Sequence, residues 1–309
     1  MLTRKAQLLI RQEAVEGTFE AGIAAADGGI LVYKPKFTPD AKIYERDPAR
    51  ATLSTLAPLV GGVKGTLTFQ TELKGSGTAG TPPKWGIAMK AAGFAETVVA
   101  LTSVAYAPAS SGVNSCSLEL IMDGVAHKMS GCRATVKLAA QFGQPAMLEY
   151  SFDGVYVGTV DLADVAGIVY DTTTPPIFMG ANILTYDGIN PVFTKLDMDM
   201  ANKLALRENA NSAGGYLSCL ITSRKPTFSI DPEMVNVATY DYFSKMTSGA
   251  QVAIAASLGA TAGNKVAIAV PKATATKIAP ADRNGIYTIG LSGEMNMNTG
   301  DDELTITLT

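Results

Sequence analysis

Charge is scarce in this sequence: only 17% of its 309 residues are Asp, Glu, Lys or Arg. Much of the surface is therefore either neutral or covered by partners. The charges nearly cancel, at a formal −3. No basic face is left to hold phosphate backbones, which excludes stable nucleic-acid binding as the main role. Histidine occurs once, at His127, so a histidine metal cluster is excluded. The three cysteines, Cys116, Cys132 and Cys219, form no C-x-x-C pair. Their odd number argues against a disulfide framework and their spacing against a zinc site, so reduced structural thiols are expected. Long apolar runs are missing too. The opening MLTRKAQLLIRQEAVEG has a short apolar stretch that Arg11 interrupts. Neither a signal peptide nor a membrane span is expected there, and synthesis in the cytoplasm is.

What recurs is alternation with a period of two between turn signals. Thr66-Leu67-Thr68-Phe69-Gln70 alternates, Leu148, Tyr150 and Phe152 share one face, and the C-terminal ELTITLT alternates throughout. These are half-buried antiparallel strands, and many short ones separated by Gly, Asn and Asp turns predict a mainly β sandwich or barrel. Two short segments read as helices, Lys84 to Ala92 with Trp85 and Met89 on one face, and Thr239 to Met246 with Tyr242 and Phe243. Gly93 and Gly249 follow them as C-caps.

The two helices sit in matching surroundings. In the first half the order is GTLTFQTEL (65–73), helix, CSLELIMDG (116–124), RATVKLAA (133–140), LEYSFDG (148–154). In the second it is PTFSIDPEM (226–234), helix, VAIAASLGA (252–260), KATATKIA (272–279), YTIGLSG (287–293). Ala134-Thr135 falls 139 residues before Ala273-Thr274, as Arg133 does before Lys272, Phe152 before Leu291 and Gly154 before Gly293. Upstream, KIYERD (42–47) resembles LALREN (204–209). The expected organisation is an internal repeat: one domain over 1–170, a Thr- and Pro-rich linker over 171–176 and a diverged second copy over 177–309. Each copy is expected to be a β sandwich or barrel carrying one short helix.

Catalytic patterns fail on context. Gly75, Gly77 and Gly80 have the G-x-G-x-x-G spacing, but Thr81-Pro82-Pro83 separates them from the helix. A dinucleotide loop passes from strand to helix directly, so these glycines read as a tight turn that the prolines stiffen. His127 reads as a strand-surface residue, and no nucleophile elbow accompanies it. Asp197 and Asp199 share one strand face, and Asp301-Asp302-Glu303 forms an acidic turn; both read as solvated groups. No enzyme, cofactor or metal is expected.

Long phrases carry a resemblance instead. YERD (44–47), VGGVKGTLTFQTELKGSGTAGTPPKWGIAMKAAGFAETV (60–98) and MDGVAHKMSGCRATVKLAAQFGQPAMLEYSFDGVYV (122–157) resemble the tail tube protein family of long-tailed bacteriophages. The resemblance implies a fold, two packed antiparallel sheets with one short flanking helix in each copy, and a virion protein, assembled in the host cytoplasm, whose subunits form rings. The rings stack into a hollow tail tube through which the genome passes without specific binding. Tape measure, tail terminator and distal tail proteins are the implied partners. The alternatives are a tube of a contractile tail or secretion apparatus or, in another class, a small-molecule- or nucleotide-binding β protein using the Gly75–Gly80 loop.

On that basis three expectations concern particular sites and a fourth concerns the ring. The apolar stretch Pro48–Gly62, with Leu53, Leu56, Leu59 and Val60, is expected to be a loop that reaches a neighbouring ring. Glu72, Glu149, Asp153, Asp197 and Asp199 are candidates to line the lumen and repel phosphate within a Debye length of roughly 8 Å. The helices, through Trp85, Met89, Tyr242 and Phe243, are expected to flank the sheets and contact other subunits. A family ring closes with six copies of the domain, so two copies per chain imply three chains with pseudo-sixfold symmetry; the alternative is six chains with the second half as an outward decoration.

Overall fold

Alternation becomes strand wherever one face has an apolar layer to cover. In the computed structural model, which describes all residues except 1, 3, 181 and 182, Leu67, Phe69, Thr71 and Leu73 are buried while Thr66, Thr68 and Gln70 lie half-buried on the other face. The first part of the chain contains β1 (Ala6–Gln12), β2 (Tyr33–Tyr44), β3 (Leu59–Glu72), α1 (Gly86–Ala91), β4 (Phe94–Val99), β5 (Ser103–Pro108), β6 (Cys116–Met122), β7 (Val125–Gln141) and β8 (Met147–Asp161). After a long irregular strap come β9 (Leu184–Tyr186), β10 (Lys195–Asp199), β11 (Lys203–Glu208), β12 (Tyr216–Ser223), β13 (Thr227–Ile230), α2 (Tyr242–Thr247), β14 (Gln251–Leu258), β15 (Val266–Arg283), β16 (Ile286–Asn296) and β17 (Thr305–Leu308). The fold is mainly β, as the alternation implies.

Both helices are shorter than their apolar spacing suggests. α2 starts only at Tyr242 because the Asp241 side chain accepts the Ser244 amide and so caps the helix there. Both end where expected, at Gly93 and Gly249, whose φ angles of +88° and +65° disfavour a side chain.

One antiparallel ladder runs β2-β3-β8-β7-β10-β13-β16-β15-β17-β5-β4, with β6 and β1 attached beside β7, and β14 and β9 beside β15. The order β2-β3-β8-β7, continued by β6 and β1, is followed by β10-β13-β16-β15, continued by β14 and β9. Strands β7 and β15 are the long ones. β7 pairs with β6 over 125–132 and with β10 over 137–141; β15 pairs with β14 over 266–274 and with β16 over 272–283. Each has a register shift midway, between Ser130 and Arg133 in one and Ala275 and Lys277 in the other. A bulge bends its strand, so each long strand crosses from one layer of the sandwich to the other. The main apolar cluster fills the space between, from Leu8 and Leu67 to Phe228 and Ile306, and a smaller one gathers around Leu9, Ile121 and Ala126.

The strap between β8 and β9 is pinned rather than loose. Lys74, buried at 3% exposure, donates to the Asp171 carbonyl at 2.9 Å and the Thr173 carbonyl at 2.8 Å, with Glu72 Oε2 at 3.1 Å. Asn264 Nδ2 reaches the Thr174 carbonyl at 2.7 Å. The Thr- and Pro-rich segment expected as a linker is thus held against both β3 and the loop before β15.

Candidate functional site

The β2–β3 hairpin extends beyond the sheet as an arm. The expected loop Pro48–Gly62 is shorter than the sequence suggests: Leu59 and Val60 belong to β3, opposite Tyr44 and Ile43, and the irregular tip is residues 45–58. Paired strand continues here because β11 and β12 support it. A Cβ at Gly62 would lie 2.6 Å from the Tyr216 ring, so only glycine allows that hairpin to approach; Lys42 Nζ lies 3.2 Å from Glu208. At the tip Pro48 is exposed, Leu53 fully so, and Leu56 half-buried; Leu59 and Val60 are exposed lower down. The matching phrases KIYERD and LALREN fall on the two neighbouring hairpins.

The five acidic candidates share one sheet face. A row of direct strand partners crosses it: Gln70, Glu149, Lys137, Asp199, Thr227, Glu294, Thr274. The next row holds Glu72, Met147, Ala139, Asp197, Ser229 and Ser292, and Asp153 stands opposite Thr66. None of the five carboxylates is bare. Glu72 accepts from Tyr33 at 2.7 Å and faces Lys74; Glu149 accepts from Gln70 at 2.7 Å; Asp153 accepts from Thr66 at 2.7 Å. Asp197 pairs with Lys195 at 2.7 Å, and Asp199 accepts the Ala201 amide at 2.7 Å. Lys137 stands between Glu149 and Asp199 in register, and Lys36 borders the face on β2. The face is mixed in sign, where an acidic one was expected, and its potential cancels over short distances.

The helix residues divide. Trp85, Met89 and Tyr242 are buried inside the chain, which leaves them no surface for a neighbouring subunit; Phe243, at 39% exposure, keeps one. Trp85 donates to the Lys74 carbonyl at 2.9 Å and lies 5.0 Å from the Tyr106 ring. The glycine-rich loop is engaged with the chain's own second part. The Gly77 amide donates to the Gly263 carbonyl at 3.1 Å, the Gly75 amide to Asn264 Oδ1 at 2.8 Å, and a Cβ on Gly75 would lie 2.0 Å from the Gly263 carbonyl oxygen. Backbone against backbone is what these glycines permit, in contrast to an open phosphate cradle.

His127 lies on β7, its ring stacked on Phe37 at 4.6 Å and Nδ1 2.8 Å from Thr159 Oγ1; burial lowers its pKa. The acidic turn is a clasp: Arg224 binds Asp301 and Glu303, and Asp302 accepts the Asn298 and Thr299 amides. All three thiols are free and buried, and burial pushes Cys219 up to about 12 and raises Cys116 and Cys132.

Sequence reasoning missed the buried polar groups. Glu13 takes the Ser115 hydroxyl at 2.5 Å, the Ser117 hydroxyl at 2.9 Å and the Gly17 and Gly131 amides at 2.8 and 2.6 Å. Arg133 is buried against the Cys219 carbonyl, with Glu16 at 3.0 Å. Alternation puts Arg133 on the polar face, opposite Asp153, and β12, which packs over this part of β7 and is invisible in the local sequence, buries it there.

The family model described as phage tail tube protein matches residues 3–308, almost the whole chain. The chain belongs to this family. It is a structural component of a bacteriophage tail, and the resemblance carried by residues 44–157 extends over the second half as well. No curated protein matches the chain in sequence. Tail tube proteins associate with themselves and with other tail components, so the exposed arm and strand edges are the surfaces of first interest.

Proposed function

We propose that this chain is the major tail tube subunit of a long-tailed phage, and that three chains close each ring with pseudo-sixfold symmetry. The carrying observation is the strand order: β2-β3-β8-β7 is followed by β10-β13-β16-β15, and the two blocks meet edge to edge where β10 pairs with β7. In this reading residues 1–170 and 177–309 are duplicated units joined by the 171–176 strap, and the β7–β10 seam is the template for the seam between chains. The outer edge of β2 and that of β15 over 276–283 have no strand partner among the described residues. Pro35, Pro39 and Pro280 sit on these edges, where a missing N–H is tolerated. Joining the edge of β15 to that of β2 in the next chain is a heterologous contact that closes by rotation, and it removes both exposed edges.

Such a ring turns one continuous sheet face toward its axis. Glu72, Glu149, Asp153, Asp197 and Asp199 would then line the lumen with Lys137 between them. Because the lysines are matched by carboxylates, the face offers no excess of fixed cations to displace the counterions of DNA, so DNA slides rather than binds. The arm, with Pro48, Leu53 and Leu56 at its tip, bridges to the next ring. Assembly in the host cytoplasm, contact with tape measure, terminator and distal tail proteins, and the choice between flexible and contractile tails belong to this proposal. Electron microscopy of the purified protein tests it. Stacked rings with three chains each are expected; six chains with 177–309 outside the wall would overturn the duplicated ring, and absence of rings and tubes would overturn the tube itself.

A further inference from the structure

The end of the sheet opposite the arm carries an apolar groove. Leu59, at the start of β3, pairs with Tyr44 beside the arm, whereas Glu72, at its end, pairs with Met147. The two ends are therefore a full strand apart, about 45 Å for a strand of this length. At the far end the loop after β7 is stitched to the chain around it. The Phe142 amide donates to the Thr194 carbonyl at 2.8 Å, the Gly143 amide to the Phe178 carbonyl at 3.2 Å and the Glu233 amide to the Val192 carbonyl at 2.8 Å. Between these segments opens a groove of about 220 Å³, lined among others by Phe142, Phe178, Met179, Pro191, Val192 and Phe193. Phe178 is buried and meets Phe193 edge-on at 5.6 Å, forming the floor. Phe142, Met179 and Val192 are each more than half exposed at its lip. Scattered apolar residues on a surface are ordinary, but several converging on one concavity mark an interaction site.

We propose that this groove receives the arm of a second copy of the chain, with Leu53 and Leu56 entering it from the adjoining ring. The inference rests on the tube reading and names the partner surface of its arm. Three observations select that occupant. Arm and groove lie at opposite ends of the same strands, so translating one ring along the strand direction brings one onto the other. A contact between unlike surfaces that repeats by translation does not close, and it builds a fibre. The parts that would meet are uncharged: residues 51–58 of the tip, ATLSTLAP, contain no ionisable side chain, nor do the residues that line the groove, and the charges of the tip, Glu45, Arg46, Asp47 and Arg50, all precede this stretch. Joining them buries apolar area without desolvating a charge. Finally, the tip of the arm has little cover from its own chain, since Leu53 is fully exposed. The tip of 14 residues, going out and back, reaches roughly 20 Å at the extended spacing, enough to cross a ring boundary.

Cross-linking tests this directly. The native thiols are buried, so in a Leu53→Cys, Met179→Cys double variant only the new pair is accessible to a short bismaleimide. Assembled tubes are expected to give a ladder of linked chains, and each single variant none. A second measurement uses charge: Val192→Glu or Leu56→Glu should leave rings but no tubes, and Leu56→Lys combined with Val192→Glu should restore them. Tubes that give no ladder, or that form normally from Val192→Glu, overturn the groove proposal while leaving the tube reading intact. A wild-type protein that forms neither rings nor tubes overturns both.

Discussion

Lys74 is the most consequential single residue that the sequence conceals. Its ammonium group sits in the interior with Glu72 and two strap carbonyls as partners. Removing one member of a buried charge pair leaves the other uncompensated, which costs about 3–5 kcal/mol. Lys74→Ala should lose about 3 kcal/mol, the low end of that range because Tyr33 still bonds Glu72; a denaturant midpoint close to wild type would contradict this. Tyr150 is the opposite case. Its hydroxyl is buried with no protein hydrogen-bond partner among the described residues, while its ring lies 5.2 Å from Phe69. Tyr150→Phe keeps the ring and removes the unsatisfied oxygen, so stability should stay level or rise by up to about 1 kcal/mol. A loss above that in calorimetry would mean that the hydroxyl has a partner.

At the scale of elements, the turn before β17 and the strap after β8 are fastened within the chain, whereas the tip of the arm is largely exposed. The turn before β17 is held by Arg224 through Asp301 and Glu303. The Ser110 hydroxyl and then Arg224 hold Asp301 below the usual carboxylate range; the Ser218 hydroxyl and then Arg133 do the same for Glu16. A depressed carboxylate stabilises the fold above its ordinary pKa and loses that contribution as pH falls through the lowered one. Stability should therefore decline below about pH 4, and Arg224→Ala should flatten that decline, measured as urea midpoint against pH. An unchanged acid slope in the variant would show that the clasp is not coupled to folding. The arm behaves differently, because nothing inside the chain depends on its tip. Deleting Thr52 to Pro58 should shift the melting temperature little yet abolish tubes; normal tubes from the deletion would remove the arm from the stacking contact.

The whole molecule is a ladder that presents one polar face from β3 to β15 while its other face closes over the main core. If the polar face lines a channel, its charge balance controls passage. Replacing Glu149, Asp153, Asp197 and Asp199 by lysine converts paired charges into an excess of fixed cations. Tubes should still form, and DNA release from reconstituted particles should slow and become steeply salt-dependent. Unaltered release at low salt would place this face away from the DNA.

The alternation of Leu67 with Phe69 and of Leu148, Tyr150 and Phe152 was enough to make strands, because a period of two has one apolar face and only a sheet can bury it. The glycines after both helices were likewise readable from the chain alone. The tertiary structure decided what depends on neighbours distant in sequence. The burial of Arg133 against Cys219 of β12, the continuation of β3 through Leu59 against β2, and the closure of Gly75 on Gly263 are set by partners across the fold. The mixed sign of the polar face is of the same kind: Lys137 lies far from Asp199 in the chain and meets it only through β7–β10 pairing. Periodicity records which face of an element is apolar. Register records which elements meet, and it is fixed by contacts between whole faces that no local stretch of sequence contains.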